Sequence, residues 1–229
     1  MLVEVCVSSI EDVFTVKKAN ADRIELCSVM EVIGVTPSLG MFMYATENVD
    51  LPIVVMIRPR AGGFNYNDHE FETMKNDIRI FKEYGAKAFV FGILDNSNNI
   101  DIERCKELID LIGNDKEIVF HKAFDYIDNK DSGVKVLIEL GFTRVLTSGG
   151  IGSSLENVEQ LKFLMDKYGS QIEIMPGGGI NSTNISKLKE RLNLTQVHLS
   201  AKYERFDLFD YIATDLNYLT DFVKKAKMQ

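Results

Sequence analysis

The sequence predicts one α/β domain over residues 1–229, a closed barrel of eight strand–helix units. Short apolar runs rich in β-branched residues recur along the whole chain, and stretches of helical periodicity separate them. Eight units in 229 residues have about 29 residues each, close to the size of a TIM-barrel unit. A doubly wound open sheet shares this alternation but normally has a glycine-rich turn after its first strand, and residues 7–11 contain no glycine. The predicted fold is therefore a TIM barrel.

The predicted strands are short and apolar on both faces, which is typical of strands that are buried in a parallel sheet. In chain order they are residues 3–7, 23–27, 53–58, 88–92, 118–121, 144–147, 172–175 and 196–199. No linker or change of composition divides the chain, so a single domain is expected.

Apolar side chains at helical spacing predict the helices between these strands. The stripes are Phe71, Met74, Ile78 and Phe81; Ile102, Cys105, Leu108, Ile109 and Ile112; Val134, Leu137 and Ile138; and Leu155, Val158, Leu161 and Leu164. The predicted N-caps are Asp101, Ser154 and Asn181. The aromatic residues near the C-terminus are assigned to a last helix that packs on the barrel or on a second subunit; they are Phe206, Phe209, Tyr211 and Tyr218.

Composition excludes several classes of function. The net charge is −8 and no basic cluster stands out, which argues against a nucleic-acid partner. The first residues lack the features of a signal peptide, and no apolar run approaches the roughly 20 residues of a membrane-spanning helix. Three cysteines are too few for a disulfide framework, and reduced thiols suit the cytoplasm.

Polar side chains stand at the carboxyl ends of the predicted strands, where barrels of this kind build their sites. The candidate catalytic residues are Glu25, Arg58, His121, Asp125 and His198. The acids and the imidazoles suit proton transfer, and Arg58 would supply positive charge to an anionic substrate. The alternative is a structural network, for example an ion pair of Glu25 with Arg58, and a satisfied core histidine at position 198.

Glycine-rich turns follow the sixth and seventh strands. They contain Gly149, Gly150 and Gly152, and then Gly177, Gly178 and Gly179. Because glycine lets the backbone approach a ligand closely, these turns are candidate binding sites for an anion or phosphate. The alternative is that they are tight turns only.

The cysteines fall into two groups. Cys105 lies on the apolar stripe of a helix and is predicted to be a small core residue. Cys6 and Cys27 lie on neighbouring strands, about 5 Å apart if the strands are in register, and two reduced thiols so placed could hold Cu(I). Simple burial is the alternative, since free cysteine is among the most buried residue types.

These residues lie in strings that resemble the CutC copper homeostasis family, from residue 2 to residue 201. The strings are Leu2-Val3-Glu4-Val5-Cys6-Val7, Arg23-Ile24-Glu25-Leu26-Cys27-Ser28, Met56-Ile57-Arg58-Pro59-Arg60, His121-Lys122-Ala123-Phe124-Asp125, Leu146-Thr147-Ser148-Gly149-Gly150, Met175-Pro176-Gly177-Gly178-Gly179 and His198-Leu199-Ser200-Ala201. Two departures stand out. Lys122 replaces an arginine that the family commonly has, and Ile33-Gly34-Val35 replaces a pair of glycines before Thr36-Pro37-Ser38.

The resemblance implies a cytoplasmic TIM barrel, a homo-oligomer (dimer or tetramer) and a role in copper tolerance. It also implies that Cys6 and Cys27 occupy the positions proposed to bind Cu(I). The residues themselves favour an enzyme acting on a small anionic or phosphorylated metabolite, because acids, bases and anion-binding turns are superfluous for holding copper. The copper role is the prediction that we carry forward, with the enzyme as its alternative.

Overall fold

The fold is a nearly closed barrel in a computed structural model that describes residues 1–228. Within that range one sheet holds eight parallel strands in the order β7-β6-β5-β4-β3-β2-β1-β8. The strands are β1 (Leu2–Val7), β2 (Arg23–Leu26), β3 (Ile53–Met56), β4 (Ala88–Phe91), β5 (Glu117–Phe120), β6 (Arg144–Thr147), β7 (Glu173–Pro176) and β8 (Gln196–Leu199). A single bridge from Gly177 to His198 joins the last two strands. The predicted TIM barrel is confirmed.

Helices alternate with the strands and cover the outside of the barrel. They are α1 (Ile10–Lys18), α2 (Leu39–Asn48), α3 (Asp68–Glu83), α4 (Ile102–Ile112), α5 (Lys130–Leu140), α6 (Val158–Tyr168), α7 (Ile185–Arg191) and α8 (Leu216–Lys227). Asp101 caps α4 as predicted, because its carboxylate accepts from the backbone N–H of Arg104. The predictions for Ser154 and Asn181 are wrong. An extra turn precedes each helix, so that α6 starts after Asn157 and α7 after Asn184.

Side chains on the two faces of the strands pack into two separate apolar clusters, because successive side chains of a strand point to opposite sides of the sheet. Val3, Val5 and Val7 pack outward in the large core between the sheet and the helices. The inward-facing cluster is rich in sulfur and contains Cys6, Cys27, Met30, Val54, Met56, Val90, Val119, Leu146 and Met175. The interior of the barrel near the carboxyl ends of its strands is therefore apolar and rich in sulfur atoms.

A β-hairpin separates the barrel from the last helix, which corrects one prediction. β9 (Lys202–Phe206) pairs antiparallel with β10 (Asp210–Thr214). Phe206, Phe209 and Tyr211 belong to this hairpin and not to α8, and their exposed fractions are 73%, 74% and 42%. They do not pack on the barrel. Tyr218 does lie in α8.

Within residues 1–228, none of the helices has the length and apolar character needed to cross a membrane.

Candidate functional site

A cavity of about 200 Å³ opens at the carboxyl ends of the barrel strands, and we call it the mouth cavity. The predicted site residues that line it are Cys6, Glu25, Arg58, His121, Gly178, Gly179 and His198. The predicted site residues outside its lining are Cys27, Asp125, Gly149, Gly150, Gly152 and Gly177. Strand ends and side-chain alternation thus bring both acid–base and sulfur groups to one place.

Sulfur atoms cluster on the side of the mouth cavity that β1 and β2 form. The Sγ atoms of Cys6 and Cys27 lie 3.6 Å apart, and the Sδ atom of Met30 lies 3.8 Å from Sγ of Cys6. The thiol of Cys27 donates to the carbonyl oxygen of Val7 at 3.3 Å. The hydrogen bond to Cys27, burial and the nearby Glu25 raise the pKa of Cys6 well above its ordinary value of 9.0. Cys6 is therefore protonated unless a cation replaces the proton.

Met30 reaches this cluster from a short 3-10 turn, Met30–Val32, that follows β2. The residues flanking the turn are Val29 and Ile33, and both have positive φ, at 53° and 69°. This conformation is unfavourable for β-branched residues, so the turn that holds Met30 is strained. A side chain on the next residue, Gly34, would lie 3.0 Å from Sγ of Cys27, so close packing of the turn on that thiol requires glycine.

A histidine between two acids forms the next part of the lining. Nδ1 of His198 lies 2.8 Å from Oε1 of Glu4, and its Nε2 lies 3.8 Å from Oε2 of Glu25. Burial opposes protonation of His198, but the charge of Glu25 and the hydrogen bond to Glu4 outweigh it and raise its pKa above 6.5. Burial, together with the charge of Glu4, raises the pKa of Glu25 in spite of the opposing effect of His198.

Glu4 connects this lining to a buried ionic network in the barrel interior. It pairs with Arg23, and Nη1 of Arg144 lies 3.7 Å from its carboxylate. Burial raises the pKa of Glu4, but the hydrogen bond from His198 and the charges of Arg23 and Arg144 lower it to about 2. Arg23 also donates to Oε1 of Gln196 at 2.7 Å. Glu4 shares a strand face with Cys6, so alternation along β1 could have identified it as a site residue.

Another part of the lining of the mouth cavity, which we call the basic wall, contains Arg58, His121 and Lys122. Arg58 is buried and donates to the carbonyl oxygens of Val32 and Gly34, at 2.8 and 2.7 Å, and to that of Gly62 at 2.5 Å. Within residues 1–228 Arg58 makes no ion pair with Glu25, so the structural alternative considered from the sequence is wrong for this pair. Arg58 instead ties the Met30 turn to the loop after β3.

His121 completes the basic wall as a neutral imidazole. Its Nδ1 accepts from the backbone N–H of Ala123 at 3.2 Å, and burial together with the charge of Arg58 lowers its pKa to about 3. A side chain at Gly92 would lie 2.5 Å from this Nδ1, so the imidazole ring packs directly on the backbone of Gly92. The ring also packs on Phe64, with centroids 4.9 Å apart. Phe64 lies in the long loop that follows β3.

Asp125 lies beneath the cavity and holds the end of β6 in place. Its carboxylate accepts from the hydroxyl groups of Thr147 and Ser148, and from the backbone N–H of Ser148 at 3.0 Å. Lys122 pairs with it at 3.2 Å and also donates to Oγ of Ser148 at 3.1 Å. With these partners the carboxylate is saturated, so the geometry gives it a positioning role and not direct contact with a ligand.

The two glycine-rich turns differ in their relation to the mouth cavity. Gly149, Gly150 and Gly152 surround Asn157 and Glu156 at the start of α6, away from the cavity. Gly178 lines the cavity with a φ of 112°, and a side chain there would lie 2.6 Å from Nζ of Lys122. Only the turn after β7 therefore brings backbone to the site.

The donor groups fit a soft metal ion better than a hard one. Thiols and thioethers favour Cu(I), and here they come from Cys6, Cys27 and Met30. One ligand atom each of Cys6, Glu25 and His198 also lie within 4.8 Å of one another, which is a mixed set suited to a borderline ion. Cys6 belongs to both sets. The lining residues that the sequence did not identify include Met30, Phe64 and Lys202.

Comparison with known proteins gives a consistent result. The model of the CutC family matches residues 1–203. A human protein named copper homeostasis protein cutC homolog is 43% identical over 204 residues, which is 89% of this chain and 74% of the human protein. A CutC family protein of Glaesserella parasuis is 37% identical over 214 residues, which is 93% of this chain and 88% of that protein.

Solved structures give the same result for the fold. The crystal structure of CutC from Streptococcus agalactiae has a TM-score of 0.82 and 35% identity, and covers 87% of this chain and 98% of that one. N-(5'-phosphoribosyl)anthranilate isomerase from Pyrococcus furiosus has a TM-score of 0.63 at 16% identity, covering 99% of this chain and 98% of that one. The second likeness concerns the barrel fold alone.

Proposed function

This chain belongs to the CutC family, and from that premise we propose that it binds Cu(I) through Cys6 and Cys27 in copper homeostasis. Its relatives are named copper homeostasis proteins, and the copper(I)-binding role is the function that the mouth cavity supports best. The observation that carries the proposal is the contact of two thiols, 3.6 Å apart, inside the barrel. Thiolates are the ligands that Cu(I) prefers.

Met30 adds a third soft ligand to this proposal. Its Sδ atom is 3.8 Å from Sγ of Cys6, and its side chain is only 5% exposed. A thioether keeps no proton to be displaced, so it contributes to a site for a monovalent ion without adding charge. Two thiolates and one thioether would hold Cu(I) at the inner side of the mouth cavity.

Neighbouring acid–base groups would assist the exchange of protons for metal. A thiol must lose its proton to become a ligand, and Glu25 lies close enough to Cys6 to affect the pKa of that thiol. Glu25 in turn faces His198, with 3.8 Å between Oε2 and Nε2. We assign to this pair the transfer of the thiol proton towards the mouth of the barrel.

Titration with Cu(I) tests the proposal. Wild type, the double variant Cys6→Ser and Cys27→Ser, and the control Cys105→Ala are titrated anaerobically against a competing Cu(I) chelator. Cys105 is buried in the helical layer, so its loss should leave the site intact. We expect tight binding to wild type and control and its loss in the double variant. Equal stoichiometry in all three proteins would refute the proposal.

We also propose that the chain works in the cytoplasm. Cys6, Cys27 and Cys105 are free and buried. Free thiols and Cu(I) both persist in a reducing compartment, whereas an oxidising one favours disulfides and Cu(II). Fractionation of cells that express the untagged chain tests this location.

Self-association into a homo-oligomer is the last part of the proposal. The hairpin of β9 and β10 presents Phe206, Leu208 and Phe209 with exposed fractions of 73%, 73% and 74%. Exposed apolar patches on soluble domains mark interaction surfaces. We propose that a second copy of this chain covers them, in a dimer or a tetramer.

A further inference from the structure

His121 presents a buried hydrogen-bond donor that lacks an acceptor. Within residues 1–228, Nε2 of His121 has no hydrogen-bond partner, although the side chain is only 3% exposed. Its Nδ1 accepts from Ala123, which leaves the proton on Nε2. The Nδ1 and Cε1 atoms face Gly92, so the other edge of the ring is the part that can line the mouth cavity.

Arg58 brings an uncompensated charge to the same wall. Its guanidinium donates only to carbonyl oxygens among the hydrogen bonds recorded for residues 1–228, and none of the carboxylates there lies within 4.0 Å of it. A buried charge without a partner is costly, and proteins usually pair it with an anion. Carbonyl dipoles offset part of this cost but leave the net charge in place.

Phe64 and Lys122 shape the space between these groups. The ring centroid of Phe64 lies 5.2 Å from the guanidinium carbon of Arg58 and 4.9 Å from the ring centroid of His121. The phenyl ring therefore contacts both of these groups of the basic wall. Lys122 lines the cavity beside His121, with its ammonium group held by Asp125 and Ser148. The acidic lining residue Glu25 faces His198, with 3.8 Å between Oε2 and Nε2.

We propose that the basic wall of the mouth cavity, formed by Arg58, His121 and Lys122, binds the oxyanion of a small organic metabolite, a carboxylate or a phosphate. The oxyanion would accept from Nε2 of His121 and neutralise Arg58, and Phe64 and Leu146 would contact the carbon skeleton. The anion site and the sulfur cluster line the same cavity, but the anion site uses none of the thiol or thioether groups and does not depend on the copper proposal.

The size of the cavity limits the ligand. Its volume of about 200 Å³ is below the roughly 300–1,000 Å³ of pockets for drug-sized molecules. A short organic acid or a small phosphorylated compound therefore matches the volume of the cavity.

Thermal unfolding with two probes tests the proposal, because a ligand that binds only the folded state raises the melting temperature. Inorganic phosphate and succinate are added at constant ionic strength, with chloride as the balancing ion. Lys122→Met and His121→Asn remove one charge and one donor from the wall. Their matched controls are Lys135→Met and His69→Asn, since both residues are exposed and lie outside the cavity.

We expect one or both probes to stabilise wild type and the two controls, with at least a tenfold weaker apparent affinity in Lys122→Met and His121→Asn. The stronger probe identifies the oxyanion as phosphate or carboxylate. Absence of stabilisation by either probe, or an equal response in all five proteins, would overturn the proposal. Cu(I) titration of the same variants should give the wild-type stoichiometry, so failure of the anion site is distinguishable from failure of the copper site.

Discussion

Nδ1 of His198 lies 2.8 Å from the carboxylate of Glu4, and this contact joins the mouth of the barrel to its ionic interior. Glu4 is 2% exposed and also pairs with Arg23, which is 6% exposed. A carboxylate so deeply buried is held in its charged form only by its cationic partners. Glu4 therefore stabilises the fold and, next to the charge of Glu25, helps to raise the pKa of His198 against the opposing effect of burial.

Replacing Glu4 should destabilise the protein strongly. Glu4→Gln leaves Arg23 and His198 buried without their counter-ion, and breaking such a pair costs about 3 kcal/mol or more. Chemical denaturation of the variant and of a matched control, Glu139→Gln, measures the effect. Glu139 is exposed on α5, so its variant should lie within about 0.5 kcal/mol of wild type. Equal stabilities would contradict the role given to Glu4.

The two buried histidines should change the free energy of unfolding with pH in opposite directions. The pKa of His121 is lowered from 6.5 to about 3 in the folded protein. Between these two values only the unfolded chain takes up the proton, so the free energy of unfolding falls by about 1.4 kcal/mol for each pH unit of acidification. The pKa of His198 is raised above 6.5, so its contribution is complete below pH 6.5 and is lost as the pH rises through the raised value.

Denaturation of wild type, His121→Asn and His198→Asn from pH 5 to pH 9 separates the two contributions, because this range extends about 1.5 units below and about 2.5 units above the pKa of an unperturbed histidine. His121→Asn should lose less stability than wild type on acidification. His198→Asn should lose less on the alkaline side. The opposite pattern in either variant would show that its imidazole has the other charge in the folded protein.

Much of the barrel and half of the mouth cavity could be predicted from the sequence. Apolar runs located the eight strands, and alternation placed Glu25 and Cys27, which directly follows β2, on the same face of the chain. Arg58, His121 and His198 could be assigned because each ends or lines a buried strand. A polar side chain in such a position must find polar partners, and the mouth of the barrel is where these are found. Local patterns sufficed for these residues since strand geometry alone fixes where they point.

Met30 and the hairpin could not be predicted in this way. Met30 reaches the thiols through a turn whose flanking residues, Val29 and Ile33, have the φ angles that β-branched residues avoid. Tertiary contacts, including the bonds from Arg58, must impose that conformation. The hairpin lacks an Asn-Gly or Gly-rich turn, because residues 207–209 are Asp-Leu-Phe, so its aromatic residues were assigned to the helix that follows.

Relief of strain at Ile33 should stabilise the protein. Ile33 is 60% exposed at a φ of 69°. Ile33→Gly removes the left-handed penalty and should add about 1 kcal/mol to the free energy of unfolding. Ile151 is 78% exposed and is not among the residues with positive φ, so the control Ile151→Gly should lose stability. A loss in Ile33→Gly would contradict strain in this turn.

The exposed hairpin should govern self-association without supporting the fold. Phe206→Ser and Phe209→Ser together should shift the protein towards the monomer in sedimentation or light scattering. The free energy of unfolding of the monomer should change by only about 0.5 kcal/mol per site. The control is Phe163→Ser on α6, which removes a half-exposed aromatic ring elsewhere. A wild type that remains monomeric at all concentrations would exclude the hairpin as a self-association surface.

Met30 should contribute to copper affinity in a way that its volume alone does not explain. Met30→Leu keeps the apolar bulk but removes Sδ, which lies 3.8 Å from Sγ of Cys6. If the thioether is a ligand, the affinity for Cu(I) should fall about tenfold or more, while the stability of the metal-free protein stays within about 1.5 kcal/mol. Met43→Leu on α2 is the control, because that methionine is partly exposed and belongs neither to the sulfur-rich cluster nor to the lining of the mouth cavity. Sulfur K-edge or copper X-ray absorption measures the number of sulfur ligands directly. An unchanged affinity and an unchanged sulfur count in Met30→Leu would limit the site to the two cysteines, because a thioether that merely fills space can be exchanged for leucine without loss.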